Sequence, residues 1–122
     1  MIQERSILNV ADNSGAKTIR CFRILGATRR RYARIGDLII ASVQVAEPRK
    51  EVKKKDIVRA VIVRSRYTSG RNNGTYIRFG DNAAVLVNDK NEPRSTRILG
   101  PIPRELREKG FEKIYTMAEE VV

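Results

Sequence analysis

Histidine is absent from the 122 residues, and cysteine occurs once, at Cys21. Without histidine, Ser-His-Asp and Cys-His nucleophile activation and His-ligated zinc are impossible. A single cysteine excludes an internal disulfide and a CxxC metal knuckle, so Cys21 is expected as a reduced thiol in a strand. The eight glycines form neither GxGxxG nor GxxxxGK[ST], which removes the two common phosphate-cradling loops. No apolar run approaches the roughly 20 residues of a spanning helix. The opening "MIQERSILNV" lacks the basic and apolar regions of a signal peptide, so the expected location is inside the cell, away from a membrane. No repeat, low-complexity tract or linker interrupts the chain, and its length suits one domain with a modest core over residues 1–122.

Carboxylates are the remaining catalytic option. Asp12, Asp37, Asp56 and Asp81 could converge on Mg²⁺ in a metallonuclease. Asp37 and Asp81 directly follow glycine beside strands, however, and turn chemistry accounts for them without a metal. The expectation is a protein that is not an enzyme and holds no cofactor.

What the chain has in excess is positive charge: 25 Lys and Arg against 14 Asp and Glu, a formal +11. That surplus implies a polyanionic partner, nucleic acid first and an anionic membrane second. Residues 1–66 carry 16 basic and 6 acidic side chains, residues 67–98 carry 5 and 3, and residues 99–122 carry 4 and 5. The two ends therefore suit different partners, with protein contacts expected at the C-terminal end. Two clusters stand out. Arg29, Arg30, Arg31 and Arg34 crowd one connection around Tyr32, and Arg49, Lys50, Lys53, Lys54 and Lys55 crowd the next around Pro48. Like charges this close repel, so a phosphate backbone is the partner that makes sense of them, and Arg and Tyr can also stack on bases. Isolated cations such as Arg5, Lys90 and Lys113 read as solvated surface.

"TIRCFRIL" (18–25), "LIIASVQVA" (38–46), "DIVRAVIVRS" (56–65), "TYIRF" (75–79) and "AAVLV" (83–87) read as strands, being short, rich in β-branched residues and bounded by Gly, Asn, Asp or Ser, and the second alternates with period 2. In the second run Ile39, Ala41, Val43 and Val45 should share one face. Turn signals separate the runs, and Asn73-Gly74 suits a type I′ hairpin. Short strands of this kind close into a small antiparallel barrel, and the fold class is all-β. "AEPRKEVKKKD" (46–56), between two strong strands, is expected to project as a β-ribbon. "PRELREKG" (103–110) reads as the one helical segment, with Pro103 in its first turn and Gly110 at its end.

The stretch "AVIVRSRYTSGRNNGTYIRFGDNAAVLV" (60–87) resembles the signature of the bacterial and organellar type of the universal large-subunit ribosomal protein L-fourteen family. "VADNSGAK" (10–17), "RRYARIGD" (30–37) and "RELREKGFEKI" (104–114) match as well, so the resemblance runs end to end. Ser95 stands where the family pattern has glycine, Leu99 where it has an aromatic, and Pro103 where it has alanine. The resemblance implies a closed five-stranded barrel with a projecting ribbon and a short C-terminal helical segment. It implies binding to large-subunit rRNA, contact with small-subunit rRNA at intersubunit bridges, and packing beside ribosomal proteins L-three and L-nineteen. It also implies a surface for a ribosome-silencing factor, carried here by Thr96, Arg97 and Lys113. The compartment would be a bacterial or organellar ribosome. The alternative is a free OB-like barrel that binds single strands or acts as an initiation-type factor. Such barrels carry an aromatic platform, and Phe22, Tyr32, Tyr67, Tyr76, Phe79, Phe111 and Tyr115 are instead scattered over loops, strands and tail.

Overall fold

Alternating apolar residues over two nine-residue stretches create the central pair of strands, β2 (Ala16–Ile24) and β3 (Leu38–Ala46), in the computed structural model, which describes residues 2–26 and 31–122. They pair antiparallel with Ile19 opposite Val43 and Cys21 opposite Ala41, all four side chains buried. On one side of this pair lies β1 (Ile7–Val10), and on the other β4 (Ile57–Arg64). A ribbon of β5 (Ser69–Gly70) and β6 (Tyr76–Ile77) follows, and then β7 (Ala83–Val87) returns beside β4. β7 also pairs with β1, Asn9 opposite Ala83, and that parallel contact closes the barrel in the order β1-β2-β3-β4-β7. Closure leaves no open edge in the main sheet.

Three expectations change here. "TYIRF" does not enter the barrel: its β6 belongs to the ribbon, and β1, the short "ILNV", takes the fifth place. The ribbon is at 69–77, not at 46–56. The turn joining β5 to β6 is not type I′, because Gly74 has φ +84° while the non-glycine residues of positive φ among those described are Arg5, Arg49, Lys55 and Asn91. Asn73 works through its side chain instead, its Oδ1 accepting from Thr75 N and Oγ1 at 3.1 and 2.5 Å.

Burial separates two sides of the barrel. β7 and the last residues of β4 are buried at every position, so both their faces are covered. The cover is the C-terminal segment: β8 (Ile98–Ile102), α1 (Glu105–Glu108), α2 (Glu112–Met117) and β9 (Ala118–Val121). Its Ile98, Ile102, Leu106, Phe111 and Ile114 join the same buried cluster as the barrel interior. The expected helix is a single turn that Gly110 ends at φ +92°, and α2 is an addition to it. β8 and β9 pair in parallel. Along β1, β2 and β3, by contrast, inward residues are buried while outward ones are largely exposed on β1 and β2 and half-buried on β3, so this wall is the bare one. The pattern breaks at Val45, expected inside but 49 % exposed, where the β2–β3 register shifts.

Candidate nucleic-acid interface

The connection from β3 to β4 holds the second basic cluster, and it does not project freely. Val52, its one aliphatic residue among the cations, is 1 % exposed and pins the loop into the core. Glu47 N donates to Gly15 O at 2.7 Å, and Lys55 N donates to Val43 O at 2.8 Å. The turn at 12–15 meets this loop so closely that a Cβ on Gly15 would lie 2.3 Å from Lys50 Cβ, and Gly15 has φ +111°. A side chain there would push the loop off. With its backbone tied down, the loop exposes Arg49, Lys50, Lys53, Lys54 and Lys55. Arg49 and Lys55 adopt φ +69° and +73°, a conformation that costs a non-glycine residue about 1–2 kcal/mol. None of the five makes an ion pair with any described residue.

At the other end of β3 lies the first cluster. Arg29 and Arg30 lie outside the described residues. Arg31, Tyr32 and Arg34 are exposed, and Ala33 and Ile35 between them are buried. Ala33 bridges to Ile2, N to O at 2.6 Å, which holds the segment against the barrel, and Asp37 Oδ2 accepts from Arg34 N at 2.6 Å. The structure therefore does not bring the two clusters together. Nine residues of strand separate them, about 30 Å at about 3.3 Å per residue.

What connects them is the bare wall. Lys17, Arg20 and Arg23 point outward from β2, in steps from the 47–56 loop towards the 31–34 segment. A register shift between Cys21 and Arg23 turns Phe22 outward too, and both it and Arg23 are exposed. Ile7 and Val45 are further exposed apolar residues of the same wall, and Ile57 is exposed at the start of β4 beside it. None of the three β2 cations has an ion-pair partner among the described residues. One flank of uncompensated positive charge thus runs the length of the barrel, with a basic loop at each end. Sequence reasoning missed the β2 cations as part of this flank. The signal was available in the alternation of "TIRC", which sets Arg20 opposite Ile19 and Cys21.

The third candidate group is built differently. Thr96 and Arg97 are held by Asn13, whose Oδ1 accepts from both backbone N–H groups at 3.2 and 3.1 Å and whose Nδ2 donates to Thr96 Oγ1 at 3.0 Å. Arg97 pairs with Glu119 at 2.6 Å, and Lys113 pairs with Glu92 at 3.0 Å. Lys113 lies on α2, beside a shallow cleft of about 560 Å³ that Ser95 and Met117 also line. These cations are already neutralised by the chain's own carboxylates. Beneath them, Arg64 ties β4 to the covering segment: it pairs with Asp81 at 3.0 Å, and its Nη1 donates to the carbonyls of Leu99 and Pro101 at 2.9 and 3.2 Å. Neither Asn13 nor Arg64 was legible as a supporting residue, because their partners lie 83 and 35 positions away.

A family model described as Ribosomal protein L14p/L23e matches residues 1–122, the whole chain. The chain belongs to that family. Membership gives the L14p/L23e chain a structural role in the large ribosomal subunit, in a family of non-enzymatic kind for which rRNA binding is typical. No helix among the described residues is long and apolar enough to cross a membrane.

The four aspartates of the L14p/L23e chain each serve a local bond. Asp12 is buried, with Oδ1 accepting from Ser14 N and Oγ and Oδ2 accepting from Leu86 N at 3.0 Å, which fixes the 12–15 turn to β7. Asp37 accepts from Arg34 N, Asp56 from Lys53 N, and Asp81 from Arg64. They lie in separate places, and no cluster of three His, Cys, Asp or Glu with metal-holding geometry occurs among the described residues. Cys21 is a free, buried thiol, and burial pushes its pKa above the ordinary 9.0 against a smaller opposing effect of the Arg23 backbone.

Proposed function

We propose that the chain anchors in the large subunit by laying its cationic flank on rRNA, and turns its charge-balanced C-terminal surface to other partners. In this reading Arg29, Arg30, Arg31, Tyr32 and Arg34 at one end, and Arg49, Lys50, Lys53, Lys54 and Lys55 at the other, neutralise phosphates of large-subunit rRNA. The β2 cations fill the interval. The observation that carries the reading is the contrast in pairing: the flank's described cations are uncompensated, whereas Arg97 and Lys113 are each paired internally. Released counterions favour RNA at the first surface. A neutralised surface gains little from phosphate and suits protein contact or a localised bridge.

The resemblance to the bacterial and organellar members extends the proposal. Thr96, Arg97 and Lys113 form the surface for a subunit bridge with small-subunit rRNA and for a ribosome-silencing factor, and ribosomal proteins L-three and L-nineteen are neighbours. The free single-strand-binding alternative is poorly supported, since Phe22 is the lone aromatic on the bare wall.

Two experiments test this. Replacing Arg29, Arg30, Arg31 and Arg34 with alanine should reduce the log-log salt slope of rRNA binding by about 3 units, near 0.7–0.9 per phosphate contact. An unchanged slope would reassign the segment to solubility. Thr96→Ala with Arg97→Glu faces Glu119 with a second carboxylate. It should weaken both subunit joining and silencing-factor binding while leaving assembly intact, and failure to assemble would place this surface against rRNA.

A further inference from the structure

A cleft of about 320 Å³ opens between the β5–β6 ribbon and α1, meeting the cationic flank only at Arg34. Its apolar lining includes Ile35, Ile77 from the ribbon and Pro103 ahead of α1. Tyr67 forms part of the wall and is 53 % exposed. Arg34 and Lys109 also line it. Arg34 makes no ion pair with any described residue. Lys109 Nζ donates one hydrogen bond, to Ile35 O at 2.9 Å, so two of its three ammonium hydrogens are left for a ligand. The one carboxylate in the lining, Glu105, is held by Arg71 at 2.8 Å.

We infer that this cleft seats one unpaired nucleotide of RNA, with its base on the Tyr67 ring and its phosphate at Arg34 and Lys109. The inference rests on the rRNA-binding reading and adds to it a place where a base, and not only a backbone, is held. Size limits the occupant, because about 320 Å³ is at the lower end of the 300–1,000 Å³ typical of small-ligand sites. Charge selects its class. Two available cations beside an internally neutralised carboxylate favour an anion, and a half-exposed aromatic among apolar lining residues favours a flat ring. An unstacked base on an aromatic side chain, with its phosphate on a cation, is the usual geometry of single-stranded RNA recognition. The hydroxyls of Thr68 and Ser69, also in the lining, are available to a base edge. A base inside a duplex could not enter.

The test uses the full chain and deproteinised large-subunit rRNA. Tyr67→p-azidophenylalanine, irradiated in the complex, should cross-link to one nucleotide that is unpaired in the rRNA. Tyr67→Ala should weaken binding about tenfold, within the range for losing one base–aromatic stack, and should leave the salt slope unchanged. Tyr67→Phe and Tyr67→Trp should retain affinity. Wild-type affinity in Tyr67→Ala, with the arginine-segment variant still impaired, would overturn this inference alone. So would cross-links scattered over duplex nucleotides, or cross-links in assembled subunits that reach only a protein side chain. Loss of salt-dependent rRNA binding from the unmutated chain would instead sink the broader functional reading along with it.

Discussion

Arg64 offers the sharpest test of how the covering segment is held on the barrel. Its side chain is 11 % exposed, and it makes contacts in two directions: to the Asp81 carboxylate through Nε and Nη2, and to the Leu99 and Pro101 carbonyls through Nη1. Asp81→Asn removes the charge but keeps an oxygen acceptor, and Asp81 is 37 % exposed, so water screens part of the lost attraction. The cost should be about 1 kcal/mol. Arg64→Met removes the pair and also strands two carbonyls, each worth about 1 kcal/mol when left without a donor, for a total of about 3 kcal/mol. At roughly 4 °C per kcal/mol for a domain of this size, thermal unfolding should shift by about 4 °C for the first variant and about 12 °C for the second. Amide exchange should separate them as well, with β8 and β9 opening in Arg64→Met and remaining protected in Asp81→Asn. Equal shifts, or unchanged exchange in β8 on losing Arg64, would refute the idea that this guanidinium fastens the segment.

Other consequences follow from single sites. Gly74→Val meets no atom within 4 Å but must hold φ +84°, so stability should fall by about 1–2 kcal/mol with rRNA affinity per folded molecule unchanged; a loss of affinity at full stability would oppose this. Val52→Ala should cost about 1–2 kcal/mol and speed tryptic cleavage between Arg49 and Lys55 roughly tenfold, because the loop loses its apolar pin; unchanged cleavage would mean the backbone bonds suffice. The raised pKa of Cys21 means that the folded state keeps its thiol proton longer than the unfolded chain does. Stability should be unaffected by this group below about pH 9 and should decline as pH rises through and beyond that value, a trend that Cys21→Ala should abolish in a pH series of urea melts.

β3 was legible from its period-2 alternation, and β2, β4 and β7 from short β-branched runs bounded by turn residues. β1 was not, since "ILNV" is short and its Ile7 is exposed, so the pattern has no contrast. "TYIRF" has strand composition, but composition cannot distinguish a barrel stave from a ribbon, and only pairing decides. The 46–56 segment was read as projecting because it lies between two strong strands, although Val52 carried the opposite message. In the same way the three-residue spacing of Phe111, Ile114 and Met117 announced α2 and went unused. The separation of the two basic clusters to opposite ends of β3 follows directly once 38–46 is one uninterrupted strand. The pairing of Arg97 with Glu119 and of Lys113 with Glu92 depends on the closed fold, and no local pattern encodes it.

The central claim is that uncompensated cations, not all cations, bind large-subunit rRNA. It is tested most directly by comparing salt slopes for two variants of equal charge change per residue on deproteinised large-subunit rRNA. Lys53→Gln, Lys54→Gln and Lys55→Gln together should reduce the log-log slope by about 2–3 units, from about 0.7–0.9 per contact. Arg97→Gln with Lys113→Gln should leave it within experimental error, because those side chains are already paired to Glu119 and Glu92. Equal loss per charge in both variants, or a loss only in the second, would contradict the division of the surface into an RNA flank and a charge-balanced face.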